Sequence, residues 1–282
     1  MGEGLTTFSN DGFDFDVLDD GSLDGPVVIA LHGFPQTSTS WEAVTPRLTA
    51  AGFRVLAPDQ RGYSPRARPR ESSAYRLDRL AGDVIALADA AGAETFHVLG
   101  HDWGGAVAWQ LASRHADRVS TVSVASTPHP RAMVESMRGK QFFKSWYMWA
   151  FQIPWLPERA VQARDGALLR RMMTSAGMNR TRVDEATALF AEPGAARGAI
   201  NWYRAMRARG APGPGRIRIP ALYVWSDRDA ALGRLAATRT EKWVTGPYRF
   251  EVLEGVSHWI PDDRPEELAD LVLAHIAAHR PD

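Results

Sequence analysis

The chain has 282 residues, and its 33 Lys and Arg residues are balanced by 33 Asp and Glu residues. Because there is no excess of positive charge, neither nucleic acid nor an anionic membrane is expected as a partner. The sequence has no cysteine, which excludes disulfides, thiol catalysis and cysteine metal sites. Residues 1–17 are acidic and lack the apolar core of a signal peptide, and no apolar run is long enough to span a membrane, so a cytoplasmic protein is expected.

Two parts of the chain alternate strand signals with helix signals. Apolar runs predict strands at 27–33, 53–59, 96–102 and 119–126, and again at 219–227 and 248–255. Apolar residues at helical spacing predict helices at 41–50, 76–92, 104–115 and 265–279. Repeated strand–helix–strand units indicate an α/β fold, with a mostly parallel sheet and helices on both of its faces.

The segment between these two parts has a different character. Residues 131–214 show no clear strand signal, are rich in aromatic residues and look helical. They close on a stretch rich in Gly and Pro at 210–216, which is a linker or a long turn. The chain is therefore interpreted as a core of residues 1–130 and 215–282 that is interrupted by a helical cap of residues 131–214.

A tight corner joins a predicted strand to a predicted helix at Gly100-His101-Asp102-Trp103-Gly104. A nucleophile flanked by glycines in this spacing makes a sharp turn, which exposes the central side chain at the carboxyl edge of the sheet. Asp102 is therefore a candidate nucleophile. Aspartate also caps helices well, and this alternative stays open.

Two more candidates follow the last two predicted strands. Asp229 comes after the strand at 219–227 and His258 after the strand at 248–255, so both belong to the same edge as Asp102. The order nucleophile, acid, histidine is that of a hydrolase with a catalytic triad on a parallel sheet. Asp227 competes for the role of the acid, but Asp229 is preferred because it lies further beyond its strand.

The motif His-Gly-Phe-Pro at 32–35 ends the first predicted strand. A turn there would expose the backbone N–H of Phe34. Together with the N–H of Trp103, it would form an oxyanion hole.

The elbow and the His-Gly-Phe-Pro motif resemble those of the α/β-hydrolase superfamily, and the resemblance extends over nearly the whole chain. With aspartate at the elbow, the chain is similar to epoxide hydrolases and to haloalkane dehalogenases, with fluoroacetate dehalogenases close behind. The stretch INWYRAM at 200–206 resembles the Asn-Trp-Tyr-Arg stretch of the epoxide hydrolase cap and gives Tyr203. The stretch KSWYMWAFQIPWLPE at 144–158 resembles the region of the second cap tyrosine and gives Tyr147.

The epoxide hydrolase resemblance implies conversion of an epoxide and water to a vicinal diol. A carboxylate with a pKa of about 3.9 is already ionised at neutral pH, so Asp102 can attack carbon without a base and form an ester. His258, oriented by Asp229, would activate water, while Tyr147 and Tyr203 would hold the epoxide oxygen. Contacts with an apolar substrate are expected from Trp103, Trp202 and Phe34. No cofactor and no metal are expected, and a homodimer is one expected assembly.

Two other functions stay open. A haloalkane or haloacid dehalogenase would use the same Asp-His-Asp triad, and Trp103 stands where haloalkane dehalogenases bind halide. However, their frequent Asn after His-Gly is replaced by Phe34 here, and the Arg of fluoroacetate dehalogenases is replaced by Trp103. The second alternative is a ligand-binding protein without catalysis on the same fold.

Overall fold

An eight-stranded sheet organises the computed structural model, which describes residues 3–137, 146–207 and 213–279. The strands are β1 (Thr7–Asn10), β2 (Phe13–Asp20), β3 (Val27–Leu31), β4 (Arg54–Pro58), β5 (Phe96–His101), β6 (Val119–Ala125), β7 (Ala221–Ser226) and β8 (Tyr248–Leu253). Their spatial order is β1-β2-β4-β3-β5-β6-β7-β8. Strand β2 pairs antiparallel with both β1 and β4, and the remaining pairs are parallel, which confirms the mostly parallel sheet.

The helices pack on both faces of this sheet, as predicted. They are α1 (Thr45–Ala50), α2 (Leu77–Ala90), α3 (Trp103–Arg114), α4 (Pro130–Ser136), α5 (Trp146–Ala150), α6 (Leu156–Ser175), α7 (Arg180–Ala191), α8 (Ala195–Ala205), α9 (Arg234–Arg239), α10 (Ile260–Asp263) and α11 (Pro265–Ala277). Short 3-10 helices lie at Ser38–Trp41, Ser72–Tyr75 and Thr240–Trp243. None of the helices in the described parts of the chain is long and apolar enough to cross a membrane.

Alternate residues of the parallel strands enter two separate cores. Ile29 and Leu31 face a core that includes apolar residues of α2 and α3, whereas Val28 and Ala30 face a core with apolar residues of α1 and α11. All five residues of β3 are buried. A strand that is covered on both faces is apolar at every position, and this is why the sequence predicted these strands as continuous runs.

The sheet begins with a hairpin that the sequence analysis missed. Strands β1 and β2 are joined by Asp11 and Gly12, whose φ angles of 50° and 79° are those of a tight hairpin turn. Phe8 and Phe15 stack across the hairpin with ring centroids 4.8 Å apart. The Asp-Gly pair between alternating apolar residues was the signal that could have predicted this hairpin.

Between β6 and β7 the described residues form helices α4 to α8 and no strand. Part of the predicted linker, at 208–212, lies outside the described residues. Helix α8 is attached to the core at three points. A Cβ atom added to Gly198 would lie 2.6 Å from the carbonyl oxygen of Gly62. In addition, the Asn201 amide donates to the Arg70 carbonyl at 3.0 Å, and the Trp202 indole N–H donates to the Arg61 carbonyl at 2.8 Å.

Helix α3 runs unusually close to the backbone of β3. A Cβ atom added to Gly104 would lie 2.0 Å from the carbonyl oxygen of Leu31. Real Cβ atoms do not approach a backbone oxygen so closely, so glycine at this position is a packing requirement. The close approach brings the start of α3 next to the end of β3.

Two glycine substitutions test this packing requirement. Gly104→Ala is expected to lower the free energy of unfolding by about 3 kcal/mol or more, because the backbone of β3 must move. Gly82→Ala is the matched control, since Gly82 also lies in a helix and its added Cβ atom would meet nothing closer than 3.9 Å. The control is expected to raise stability by up to about 1 kcal/mol. Urea unfolding checks both values, and equal stabilities for the two variants would contradict the proposed packing.

Candidate active site

Asp102 stands at the corner between β5 and α3 in a strained backbone conformation. Its φ of 49° and ψ of −119° lie in a region that residues with a side chain rarely adopt, at a cost of about 1–3 kcal/mol. The carboxyl makes no capping hydrogen bond to α3, so the helix-cap alternative is wrong. Its Oδ1 atom instead accepts a hydrogen bond of 2.8 Å from the backbone N–H of Phe34.

Glycines make this corner possible. A Cβ atom added to Gly100 would lie 2.4 Å from the carbonyl oxygen of Gly104. A Cβ atom added to Gly33 would lie 2.3 Å from the Cβ atom of Asp102. The missing side chains therefore allow the loop after β3 to touch the aspartate. The N–H of Trp103 belongs to the first turn of α3, whose N–H groups have no acceptor within the helix.

His258 lies between two carboxylates. Its Nε2 atom is 3.5 Å from Oδ2 of Asp102, and its Nδ1 atom is 2.7 Å from Oδ2 of Asp229. The other oxygen of Asp229 accepts 2.7 Å hydrogen bonds from the N–H groups of Ala231 and Leu232. The structure thus brings Asp102, His258 and Asp229 into contact with one another.

Asp227 points elsewhere. Its Oδ1 atom accepts a 2.7 Å hydrogen bond from the N–H of Gly255, and the residue is exposed. Asp229 is 3% exposed and contacts the imidazole. The geometry therefore favours Asp229 over Asp227 as the partner of His258.

Three residues that the sequence analysis did not single out hold the backbone around this cluster. The carbonyl oxygen of His258 accepts hydrogen bonds from Nε2 of His101 at 2.9 Å and from the Ser126 hydroxyl at 2.7 Å. The carbonyl oxygen of Asp102 accepts one from the Thr127 hydroxyl, also at 2.7 Å. Only His101 belongs to the elbow motif. Ser126 and Thr127 follow β6 and carry no sequence signal of this role.

Asp102 and His258 change each other's acidity. Burial alone would raise the pKa of Asp102, but His258, His101 and the Phe34 N–H outweigh it and lower this pKa below its usual value. Burial alone would lower the pKa of His258, but Asp229 and Asp102 outweigh it and raise this pKa to about 10. At neutral pH His258 is therefore an imidazolium that faces the Asp102 carboxylate.

The two predicted tyrosines lie side by side. Tyr147 on α5 and Tyr203 on α8 have ring centroids 5.8 Å apart, and the Tyr203 ring packs edge-on against Trp103 at 5.0 Å. Burial raises the pKa of both phenols, and the nearby charge of Asp102 raises it further. The adjacent Trp103 side chain partly opposes this rise in the pKa of Tyr203. Both phenols are therefore neutral at physiological pH and keep a proton to donate.

A cavity of about 570 Å³ connects these groups. Its lining includes Asp102, Trp103, Tyr147, Trp202 and Tyr203. Apolar residues complete the lining, among them Ala106, Met133, Met148 and Leu232. The cavity is therefore mostly apolar, with a carboxylate and two phenols as its reactive groups.

Of the three residues predicted to contact the substrate, two line the cavity and one does not. Trp103 and Trp202 line the cavity, although the indole N–H of Trp202 is taken by the Arg61 carbonyl. Phe34 does not line it; its ring is 6% exposed and packs against Phe151, among other aromatic residues. Phe34 reaches the cluster through its backbone N–H. In the described part of the chain, no group of three or more His, Asp or Glu residues is arranged to hold a metal ion.

Residues 26–265 match the family model described as alpha/beta hydrolase fold. The chain belongs to the α/β-hydrolase superfamily. This match covers most of the sequence, including the elbow, the loop after β3, and the positions of Asp229 and His258.

Several members of the superfamily are similar to this chain over nearly their full length. The AB hydrolase superfamily protein YfhM of Bacillus subtilis is 34% identical, over 95% of this chain and 96% of that protein. Epoxide hydrolase A of Mycobacterium tuberculosis is 32% identical, over 91% of this chain and 92% of that protein. A solved structure described among novel epoxide hydrolases of the superfamily from metagenomes of hot environments has a TM-score of 0.83 and 30% identity. It covers 99% of this chain and 100% of that chain.

The electrostatic coupling at the site can be measured directly. Asp102→Asn removes a negative charge and a hydrogen bond that both raise the pKa of His258, so this pKa is expected to fall below its wild-type value of about 10. Titration of the imidazole by nitrogen-15 NMR measures the change. Asp227→Asn is the matched control, because it removes a carboxylate that contacts Gly255 instead of His258. An unchanged pKa of His258 in Asp102→Asn would show that the two groups are not coupled.

Proposed function

We propose that this chain is an epoxide hydrolase that opens an apolar epoxide with Asp102 and releases a vicinal diol. The observation that carries the proposal is the position of the Asp102 carboxylate. It lies between the Phe34 N–H and His258, in the wall of a cavity that two neutral tyrosines also line. The similarity to proteins named epoxide hydrolases supports it.

In the first step, a carboxylate oxygen of Asp102 attacks an epoxide carbon. The C–O bond of the ring breaks, and its electron pair stays on the departing oxygen. Tyr147 or Tyr203 donates a proton to this oxygen, since an alkoxide is too basic to leave unprotonated. The product is a hydroxyalkyl ester on Asp102, and a tyrosinate remains beside it.

In the second step, water hydrolyses the ester. His258 accepts a proton from the water, and the new hydroxide attacks Cγ of Asp102. The N–H groups of Phe34 and Trp103 stabilise the resulting oxyanion. The alkyl C–O bond remains intact, so the diol carries an oxygen atom that came from Asp102. The acyl C–O bond then breaks, the departing oxygen of the diol takes the proton from His258, and the carboxylic acid formed on Asp102 gives its proton to His258.

Esterification prepares His258 for this second role. Asp102 loses its negative charge when it becomes an ester, and this charge is one of the causes that raise the pKa of His258. The pKa of His258 is therefore lower in the ester than in the free enzyme. Its proton can pass to the tyrosinate, which leaves a neutral imidazole that accepts a proton from water.

We also propose that the helical insertion, residues 131–214, is the cap over the site. Tyr147 on α5 and Tyr203 on α8 both belong to it, whereas Asp102, His258 and Asp229 follow strands of the sheet. The cavity is lined by residues of both parts. Its size and mostly apolar lining suit an apolar, including an aromatic, epoxide.

The geometry gives less support to a dehalogenase. A halide needs N–H donors that are free to point at it, but the Trp202 indole N–H is taken by the Arg61 carbonyl. Phe34 offers no side-chain donor. Two adjacent phenols suit the proton demand of an epoxide oxygen better than they suit a halide.

Trapping of the ester tests the proposed function. His258→Gln removes the base for the second step but leaves Asp102 in place, so incubation with styrene oxide is expected to add the mass of one substrate molecule to the Asp102 peptide. Mass spectrometry measures the adduct. Asp102→Asn with styrene oxide is the control and is expected to give no adduct. If His258→Gln forms no adduct with any epoxide, the chain is a binding protein rather than this enzyme.

A single turnover in heavy-oxygen water tests the same ester independently. With wild-type enzyme in excess over styrene oxide, the diol of the first turnover is expected to be unlabelled, and the Asp102 peptide is expected to gain the label. A labelled diol would mean that water attacks the epoxide directly and would exclude the ester.

The choice of acid is tested by two neighbouring variants. Asp229→Asn removes the charge that stabilises the His258 imidazolium and is expected to slow ester hydrolysis by at least about 100-fold. Asp227→Asn is expected to leave hydrolysis near its wild-type rate, because Asp227 is exposed and bonds to Gly255. Decay of the ester, followed by quenched flow, measures both. A slower decay in Asp227→Asn than in Asp229→Asn would reverse the assignment.

A further inference from the structure

Two adjacent hydroxyl groups at the end of β6 reach different members of the catalytic cluster. The Ser126 hydroxyl donates to the backbone carbonyl of His258, and the Thr127 hydroxyl donates to the backbone carbonyl of Asp102, each at 2.7 Å. The two contacts join positions that are 132 and 25 residues apart in the sequence. The end of one strand is therefore connected to both the proposed nucleophile and the proposed base.

Ser126 is held in place by all of its polar groups. Its N–H donates to the Val224 carbonyl at 2.8 Å, and its own carbonyl accepts from the Tyr223 hydroxyl at 2.9 Å. The residue is fully buried, and its φ of 69° is in the left-handed region, which is strained for a serine. Neighbouring β7 thus fixes the backbone of Ser126, and the hydroxyl has one direction left, toward His258.

Thr127 is fixed in a comparable way. Its N–H donates to the Ala125 carbonyl at 2.9 Å, and its carbonyl accepts from the Trp109 indole N–H at 3.0 Å. The added Cβ atom of a residue at Gly105 would lie 3.0 Å from the Thr127 Cβ, which shows how closely α3 packs here. The Thr127 hydroxyl therefore approaches Asp102 from a rigid support.

We infer that Ser126 and Thr127 are a pair of positioning residues that divide the two steps between them. Ser126 fixes the position of the His258 backbone and thereby the distance of its imidazole from the ester. Thr127 fixes the position of the Asp102 backbone and thereby the direction from which its carboxylate attacks the epoxide. This inference rests on the proposed epoxide hydrolase function. Both hydroxyls donate to backbone carbonyl groups rather than to the side chains of the cluster, and Thr127 also lines the cavity.

The division follows from what each contact supports. His258 takes part in ester hydrolysis, and its Nε2 atom lies 3.5 Å from the Asp102 carboxylate, so a small backbone shift alters its approach to the attacking water. The second anchor of the same carbonyl is His101. Loss of the Ser126 hydroxyl therefore leaves the backbone carbonyl of His258 held by one anchor instead of two, while Asp229 still contacts the imidazole. Asp102 keeps both the Phe34 and the Thr127 contacts in that variant, so its attack on the epoxide is unaffected.

Transient kinetics separates the two steps. Each purified full-length variant is mixed with excess styrene oxide, and intact mass after rapid quenching follows the rise of the ester, which gives the alkylation rate constant. Decay of the ester after substrate removal gives the hydrolysis rate constant. Ser126→Ala is expected to slow hydrolysis about tenfold, the effect of one lost hydrogen bond, and to leave alkylation within about twofold of wild type. The ester should then accumulate in the steady state.

Thr127→Val is expected to show the opposite pattern. This variant keeps the shape of the side chain and removes the hydroxyl, so alkylation is expected to slow about tenfold. Thr127→Ser keeps the hydroxyl and is expected to alkylate at a rate near that of the wild type. Ser123→Ala is the matched control, since Ser123 is a buried serine of the same strand whose hydroxyl takes no part in either contact. It is expected to leave both rate constants unchanged.

Ser126→Gly separates the effect of the lost hydroxyl from the effect of backbone strain at this position. Glycine adopts the φ of 69° easily, so a structural role limited to the turn predicts normal hydrolysis in this variant, whereas a role of the hydroxyl predicts slow hydrolysis in both Ala and Gly. Normal hydrolysis in either folded variant overturns the inference, as does an equal slowing of both steps by Ser126→Ala and Thr127→Val. If His258→Gln also fails to trap an ester, it is the proposed function that fails, and the two outcomes are thereby distinguished.

Discussion

A half-buried negative charge at Asp102 is the constraint on which the site depends. An ionised carboxylate removed from water is costly unless it is paired and hydrogen-bonded. The Phe34 N–H satisfies one oxygen, and the imidazolium of His258 faces the other. Asp229 shares that imidazolium and is itself held by two backbone N–H groups. Because an imidazolium cannot accept a proton, the base is withheld until the nucleophile has been consumed. The ester must form before water can hydrolyse it, and loss of the Asp102 charge in that ester lowers the pKa of His258 when a base is needed.

The same cluster depends on close backbone contacts that only glycine allows. Gly33 and Gly104 let the loop after β3 and the start of α3 approach each other, and the strained φ of Asp102 directs its side chain into the gap between them. The strain is stabilised by a sheet whose strands are buried on both faces. A rigid core is thus the support for a reactive corner at its edge.

The sequence predicted those parts of the structure that have a local sequence pattern. Buried parallel strands appear as apolar runs, and closely spaced glycines around a nucleophile are typical of a sharp strand-to-helix turn. Strands β3 to β8 and the corner at Asp102 could therefore be predicted from the sequence. The choice between Asp229 and Asp227 depends on where a loop turns after β7, which no local pattern specifies. Ser126 and Thr127 act through contacts with residues distant in sequence, and nothing beside them in the chain marks this. The N–H of Phe34 contacts Asp102. The Phe34 ring, however, packs among other aromatic residues rather than along the cavity.

The attachment of α8 makes the two tyrosines unequal. Gly198, Asn201 and Trp202 fix this helix to the chain segment 61–70, and Tyr203 follows Trp202 directly. Tyr147 sits on a helix of five residues, and its ring packs edge-on against the Tyr203 ring. In the proposed reaction, the position of the Tyr203 phenol is therefore set by contacts between α8 and the core segment 61–70, whereas that of Tyr147 is set through α5.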